Sequence, residues 1–100
     1  MAHYRIIHWR QIPSLVEAFD GDQVARVPLS QRFQDLIDTV ALREGASEAD
    51  LYLEGWGQGP DLDRPGGADA VAGQIAAELE AGFQDLVAAR LLPPTARGPA

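Results

Sequence analysis

The sequence contains no cysteine, no lysine and no asparagine. Without thiols it forms no disulfide, no thiolate metal site and no cysteine nucleophile, so packing alone must hold the fold. The absence of lysine leaves arginine to carry every basic charge, a bias that points to a GC-rich coding sequence rather than to chemistry. Positive charge is itself scarce: eight basic residues stand against fifteen acidic ones, for a net charge of −7. The deficit lies in the second part of the chain. Residues 1–43 hold five arginines and five acids, whereas residues 44–100 hold three arginines and ten acids. A duplex-binding surface needs clustered cations to displace counterions from phosphates, so nucleic acid is excluded as an expected partner. An anionic membrane surface is excluded on the same ground. No apolar run approaches the roughly 20 residues of a membrane span. The first residues, MAHYRIIHWR, carry no signal-peptide pattern. The expectation is a soluble, cytoplasmic protein.

What is present reads as one folded domain. Hydrophobic residues make up 46% of 100 positions, enough for a real but modest core. A single α+β domain is expected over residues 1–92, with a flexible tail at 93–100. In HYRIIHWR, residues 3–10, the aromatic and β-branched content favours a strand. Alternation then puts Tyr4, Ile6 and His8 on one face and Arg5, Ile7 and Trp9 on the other. Apolar groups on both sides predict a strand covered, at least partly, on both faces. Ile12-Pro13 is expected to end it, since proline removes a ladder donor. Asp20-Gly21 between two apolar runs predicts a hairpin, and Pro28 its end.

Ser30 is a good N-cap for an amphipathic helix whose stripe is Phe33, Leu36, Ile37, Val40 and Ala41. Gly45 is a plausible stop. Ser47 suits a cap as well. Residues 51–57 alternate and contain Gly55 and Gly57, poor helix formers, which predicts a fourth strand. Residues 57–67, dense in glycine and proline, predict a loop. A long helix follows over 69–92, with Gly82 inside it. The expected architecture is β-β-β-α-β-α, a small and mainly antiparallel sheet with two helices packed on one face.

Candidate sites are few. His3 and His8 lie five apart, which on a strand sends them to opposite faces, and zinc asks for three or four ligands, so no metal is expected there. Asp61, Asp63 and Asp69 are spaced like part of a calcium loop, but Pro65 and Ala72 stand where ligands belong. Ser14, Ser30 and Ser47 lack a nucleophile-elbow context. GWGQG lacks the lysine and spacing of a phosphate loop. No cofactor is expected. The residues most suited to contact are Trp9, Arg10, Tyr52 and Trp56: tryptophan, tyrosine and arginine are enriched among interface hot spots, and Trp56 stands between two glycines. Arg10 also suits a structural pairing with an acid of the second part of the chain.

YRIIHWRQIP, then RFQDLIDTVALREG, then DLYLEGW together resemble the small bacterial "virulence factor" domain family, a domain also similar to the end of the larger conserved virulence factor C proteins. The pattern is carried by Tyr4, Ile6, Trp9, Arg10, Ile12, Pro13, Arg32, Phe33, Tyr52, Leu53 and Trp56. It covers roughly residues 4–57, and departs at His8, where an aromatic is expected, and at Gly57-Gln58-Gly59. The resemblance transfers no catalytic residue. Relatives encoded beside tetrahydrofolate and corrinoid methyl-transfer enzymes imply an accessory role there. The leading expectation is a non-enzymatic module that docks on another bacterial protein. The rival is a small ligand-binding or catalytic accessory subunit of tetrahydrofolate/corrinoid one-carbon metabolism, with a pocket at His8, Arg10 and Tyr52. A homodimer through an open strand edge or the long helix is a third arrangement.

Overall fold

Alternating apolar side chains and one mirror-type turn set up the first half of the chain. In the computed structural model, which describes residues 1–46 and 48–91, strand β1 (Ala2–Trp9) pairs antiparallel with β2 (Ile12–Asp20), and β2 with β3 (Gln23–Pro28). Arg10 and Gln11 join β1 to β2 with φ of 44° and 72°. Two successive residues in this region twist a two-residue hairpin the way its strands twist, but side chains other than glycine and asparagine adopt it at a cost. Gly21, with φ 60°, serves the β2–β3 turn.

The first strand was expected to end at Ile12-Pro13. Instead Ile12 opens β2 and Pro13 lies within it. The register explains the tolerance: Ile7 pairs with Leu15 and His8 with Pro13, so Ser14 is skipped. Proline lacks a donor and is accommodated where a bulge interrupts the ladder.

Helix α1 (Gln31–Arg43) buries Phe33, Leu36, Ile37, Val40 and Ala41, the stripe read from its spacing. Ser30 occupies the N-cap position without capping through its side chain. Its hydroxyl donates to Glu80 Oε1 at 2.8 Å and its amide to Glu80 Oε2 at 2.7 Å.

The next segment corrects the expected strand at 51–57. Residues Ala49–Glu54 form a short helix, α2, and only Trp56–Gln58 form a strand, β4. Gly55 and Gly57 disfavour a helix only after α2 has ended, with Gly55 as its C-cap. The expected loop at 57–67 contains the end of β4 and a further strand, β5 (Leu62–Arg64). Both pair antiparallel with β1, β4 along Ile7–Trp9 and β5 along Ala2–Tyr4, giving the order β3-β2-β1-β4 with β5 also on β1. The expected long helix is two, α3 (Ala68–Ala81) and α4 (Phe83–Leu91), parted at Gly82. The architecture is α+β on a mainly antiparallel sheet. The cap expected at Ser47 and the tail expected at 93–100 lie outside the described residues.

Two cores result. Under α3, the strand residues Ala2, Val16, Ala18 and Ala25 meet Ala68, Val71, Ala72, Ile75 and Ala76. At the β1–β2 turn, Trp9 and Ile12 meet Leu36, Ile37, Val40, Ala41 and Ala46, with Tyr52, Trp56, Phe83, Leu86 and Val87 packed around them. Alternation along β1 turns Trp9 away from the face on which Ala2, Tyr4 and Ile6 approach α3. Among the described residues no helix is long and apolar enough to cross a membrane.

Candidate functional site

The four residues singled out for contact converge at the hairpin end of the sheet. Trp9 is the last residue of β1 and is fully buried. Its Nε1 donates to the Tyr52 carbonyl at 2.6 Å, and its ring stacks on that of Tyr52 with centroids 5.7 Å apart. Trp56 is the register partner of Trp9 across β1 and β4, and meets Tyr52 edge to face at 6.0 Å. Tyr52 Oη accepts a hydrogen bond from Gln34 Nε2 at 3.1 Å, which ties α2 to α1.

Gly55 makes this stack possible. A Cβ there would stand 2.3 Å from Nε1 and 2.6 Å from Cε2 of Trp9. Its carbonyl also accepts the Arg10 amide at 2.9 Å, holding the strained turn against the end of α2. The Arg10 guanidinium lies 5.0 Å from the Trp9 ring centroid, and its Nη1 donates to Glu44 Oε1 at 2.8 Å. Glu44 also accepts from Arg90 Nη2 at 3.3 Å. Arg10 thus pairs with an acid from the second part of the chain, and two guanidiniums share one carboxylate.

Trp9 therefore supports the site from inside, while half-buried Tyr52 and Trp56 reach its surface. Sequence reasoning missed two neighbours on α2, Leu51 and Leu53, which are 39% and 64% exposed. No residue of α2 is buried. Their alternation had suggested strand residues with one covered face, whereas in a helix residues two apart point about 200° apart. The signal that marks them is the acidic frame, Glu48, Asp50 and Glu54, on a segment too short to bury both leucines.

The two histidines part company, as the strand geometry requires. His3 pairs with Asp63 of β5, while His8 packs beside Gly57. Among the described residues no group of three or more acidic or histidine side chains is placed to hold a metal ion. A cavity of about 310 Å³ lies on the His8 side of β1, lined by Ile6, His8, Gln11, Pro13, Gly59, Pro60 and Leu79. Neither Arg10 nor Tyr52 belongs to its lining, so the expected convergence of His8 with those two residues does not occur.

A family profile described as "Virulence factor" matches residues 7–91, from β1 through α4, and so includes Trp9, Arg10, Tyr52 and Trp56. No curated protein and no solved structure matches the chain.

Proposed function

The chain belongs to the virulence factor family, and we propose that it acts as a non-enzymatic accessory module that docks onto another bacterial protein in the cytoplasm. The observation that carries this reading is the display on α2. Leu51 and Leu53 stand in solvent on opposite sides of this short helix, whose Tyr52, like Trp56 just after it, is half-buried. A helix that buries none of its residues leaves apolar side chains open on either side, and such exposure within a charged rim suits contact with a partner. The rim is acidic, from exposed Glu48, Asp50 and Glu54. A partner that fits offers an apolar recess edged with basic side chains, and the charges then select it and speed its encounter.

The surface is held in place for this role. Trp9 fixes the backbone of Tyr52 through its indole N–H, and Gln34 fixes the phenol. A side chain that is already ordered loses little freedom on binding. The test compares the tagged wild-type chain with Leu53→Asp and Trp56→Ala in pull-downs, each checked for unchanged circular dichroism. A partner held by the wild type should weaken at least tenfold against either variant. A partner recovered equally by all three, or none recovered by the wild type, overturns the reading.

A further inference from the structure

The groove beside His8 has a chemistry that neither the docking surface nor the fold uses. Its walls are Ile6, Pro13, Pro60 and Leu79, and its volume of about 310 Å³ suits a single ring or a short chain. Two polar side chains, those of His8 and Gln11, interrupt this apolar lining. The Nδ1 atom of His8 is buried and has no hydrogen-bond partner among the described residues. The ring edge bearing Cε1 and Nδ1 faces Gly57, where a Cβ would stand 3.4 Å and 4.0 Å from those atoms. Of the two ring nitrogens only Nδ1 is among the enclosed, unpartnered atoms of the described residues, and His8 lines the groove, so Nε2 is the nitrogen open to it.

The tautomer follows from this asymmetry. A neutral imidazole has one N–H and one bare nitrogen. A buried N–H without an acceptor is the rarer kind of orphan in folded proteins, so the enclosed Nδ1 is the bare nitrogen and Nε2 carries the proton. His8 thus presents a donor to an apolar recess in which no carboxylate takes part in the lining. We propose that this groove binds a small neutral molecule with an apolar one-ring body and a carbonyl oxygen, which accepts the Nε2 hydrogen bond of His8. A neutral carbonyl is preferred to a carboxylate because the chain carries a net charge of −7, whose field opposes the approach of an anion.

The local backbone is arranged to keep the recess open. The skipped Ser14 sets Pro13 opposite His8. Gly59 donates its amide to the Ile6 carbonyl at 2.9 Å and adds no side chain to the lining. Gln11, at the rim, is held with φ of 72°.

The test is an NMR titration of the whole chain with three probes: acetophenone, toluene and benzoate. Acetophenone should shift the methyl signals of Ile6 and Leu79 and the His8 ring saturably, and bind at least fivefold more tightly than either other probe. His8→Phe should abolish the advantage of acetophenone over toluene while toluene still binds. Leu79→Trp, which fills the recess, should abolish both. Long-range proton–nitrogen spectra of the free wild-type chain at pH 8 should show the proton on Nε2, a readout that needs no variant to fold. Failure of acetophenone to saturate, toluene or benzoate binding as tightly, or a proton on Nδ1 overturns the proposal. Leu53→Asp leaves the groove lining untouched, so this outcome and that of the docking test are independent.

Discussion

The two cores of this domain are built on opposite rules. Under α3, alanine recurs on both sides of the contact: Ala2, Ala18 and Ala25 on the strands, Ala68, Ala72 and Ala76 on the helix. Small side chains let a helix backbone lie close to a sheet, and the contact is then sensitive to added volume. At the hairpin end the contact is filled by large groups: Trp9, Ile12, Leu36 and Ile37, with Tyr52, Trp56 and Phe83 around them. Phe83 also meets Phe33 of α1 edge to face at 4.8 Å. A core of that kind is sensitive to removed volume, because its neighbours cannot collapse into the space. The first core joins α3 to consecutive strands. The second joins the β1–β2 turn to α1, α2, β4 and α4, elements far apart in the chain. The displayed leucines of α2 depend on the second.

The hardest blow to this contrast is Trp9→Ala. It removes the largest fully buried side chain and takes from the Tyr52 carbonyl its 2.6 Å indole donor, leaving it the longer bond from the Gly55 amide at 3.2 Å. The expected cost is about 3–5 kcal/mol in urea or guanidinium unfolding, a large share of the roughly 5–15 kcal/mol that stabilises a typical domain. A cost under 1 kcal/mol would mean that Trp9 does not organise its core. Gly55→Ala attacks the same place by addition. Its new methyl would lie 2.3 Å from an indole that has no free space, and is expected to cost about 3 kcal/mol. The two changes should also redshift tryptophan emission, from Trp56 alone in Trp9→Ala and from Trp9 and Trp56 together in Gly55→Ala, since the stack loses its support; wild-type emission in Gly55→Ala would show that the ring had moved aside freely.

On the alanine side the asymmetry reverses. Ala72 is fully buried between helix and strands. Ala72→Leu is expected to cost about 2 kcal/mol by forcing α3 off the sheet. Ala72→Gly leaves only a small void and the lost helix preference, about 1 kcal/mol. Unfolding curves of the pair measure the difference. If glycine proved the more damaging, close approach would not be what this core is built for.

The same contrast explains which parts of the fold were legible in the amino-acid order. Strands β1 to β3 and helix α1 follow from period-two and period-3.6 patterns, because residues at those intervals along each meet a neighbour. Helix α2 buries no residue and so prints no period; its two leucines imitate a strand. Strands β4 and β5 are three residues each and exist through pairing with β1, a tertiary cause that no short window contains. The division of 69–92 falls at Gly82, a poor helix former that was expected inside one helix and that instead caps α3. Trp9, Arg10, Tyr52 and Trp56 were each visible by residue type, and their meeting place was not, since it depends on Gly55 admitting the indole. The His8 groove was hidden for a similar reason: Leu79 and the skipped Ser14 reach it only in three dimensions.

The smallest expected effect tests the reverse side of the strands that floor the alanine core. Between Val16 and Ala18, Glu17 points the other way and is nearly buried. Its Oε2 accepts from Arg26 Nε at 2.6 Å and its Oε1 from Arg5 Nε at 2.9 Å. The Arg26 bond first, then the Arg5 bond, hold the carboxyl below its ordinary value of 4.5, against the opposing effect of burial. A carboxyl depressed in the folded state stabilises it fully above the unfolded value, and that stabilisation fades as pH falls below 4.5 through the folded value. Glu17→Gln should therefore cost about 1 kcal/mol at pH 7, with the difference from wild type shrinking steadily below pH 4.5. On the aromatic side, Glu44 and Arg10 are both well exposed, and pairs of that kind add little. Glu44→Gln should leave unfolding at pH 7 nearly unchanged. Urea unfolding of both variants across pH 2–7 separates the cases. A Glu17→Gln deficit that stays constant with pH would assign the residue's contribution to shape rather than charge, and the strands under the alanine core would then need no ion pair to hold their register.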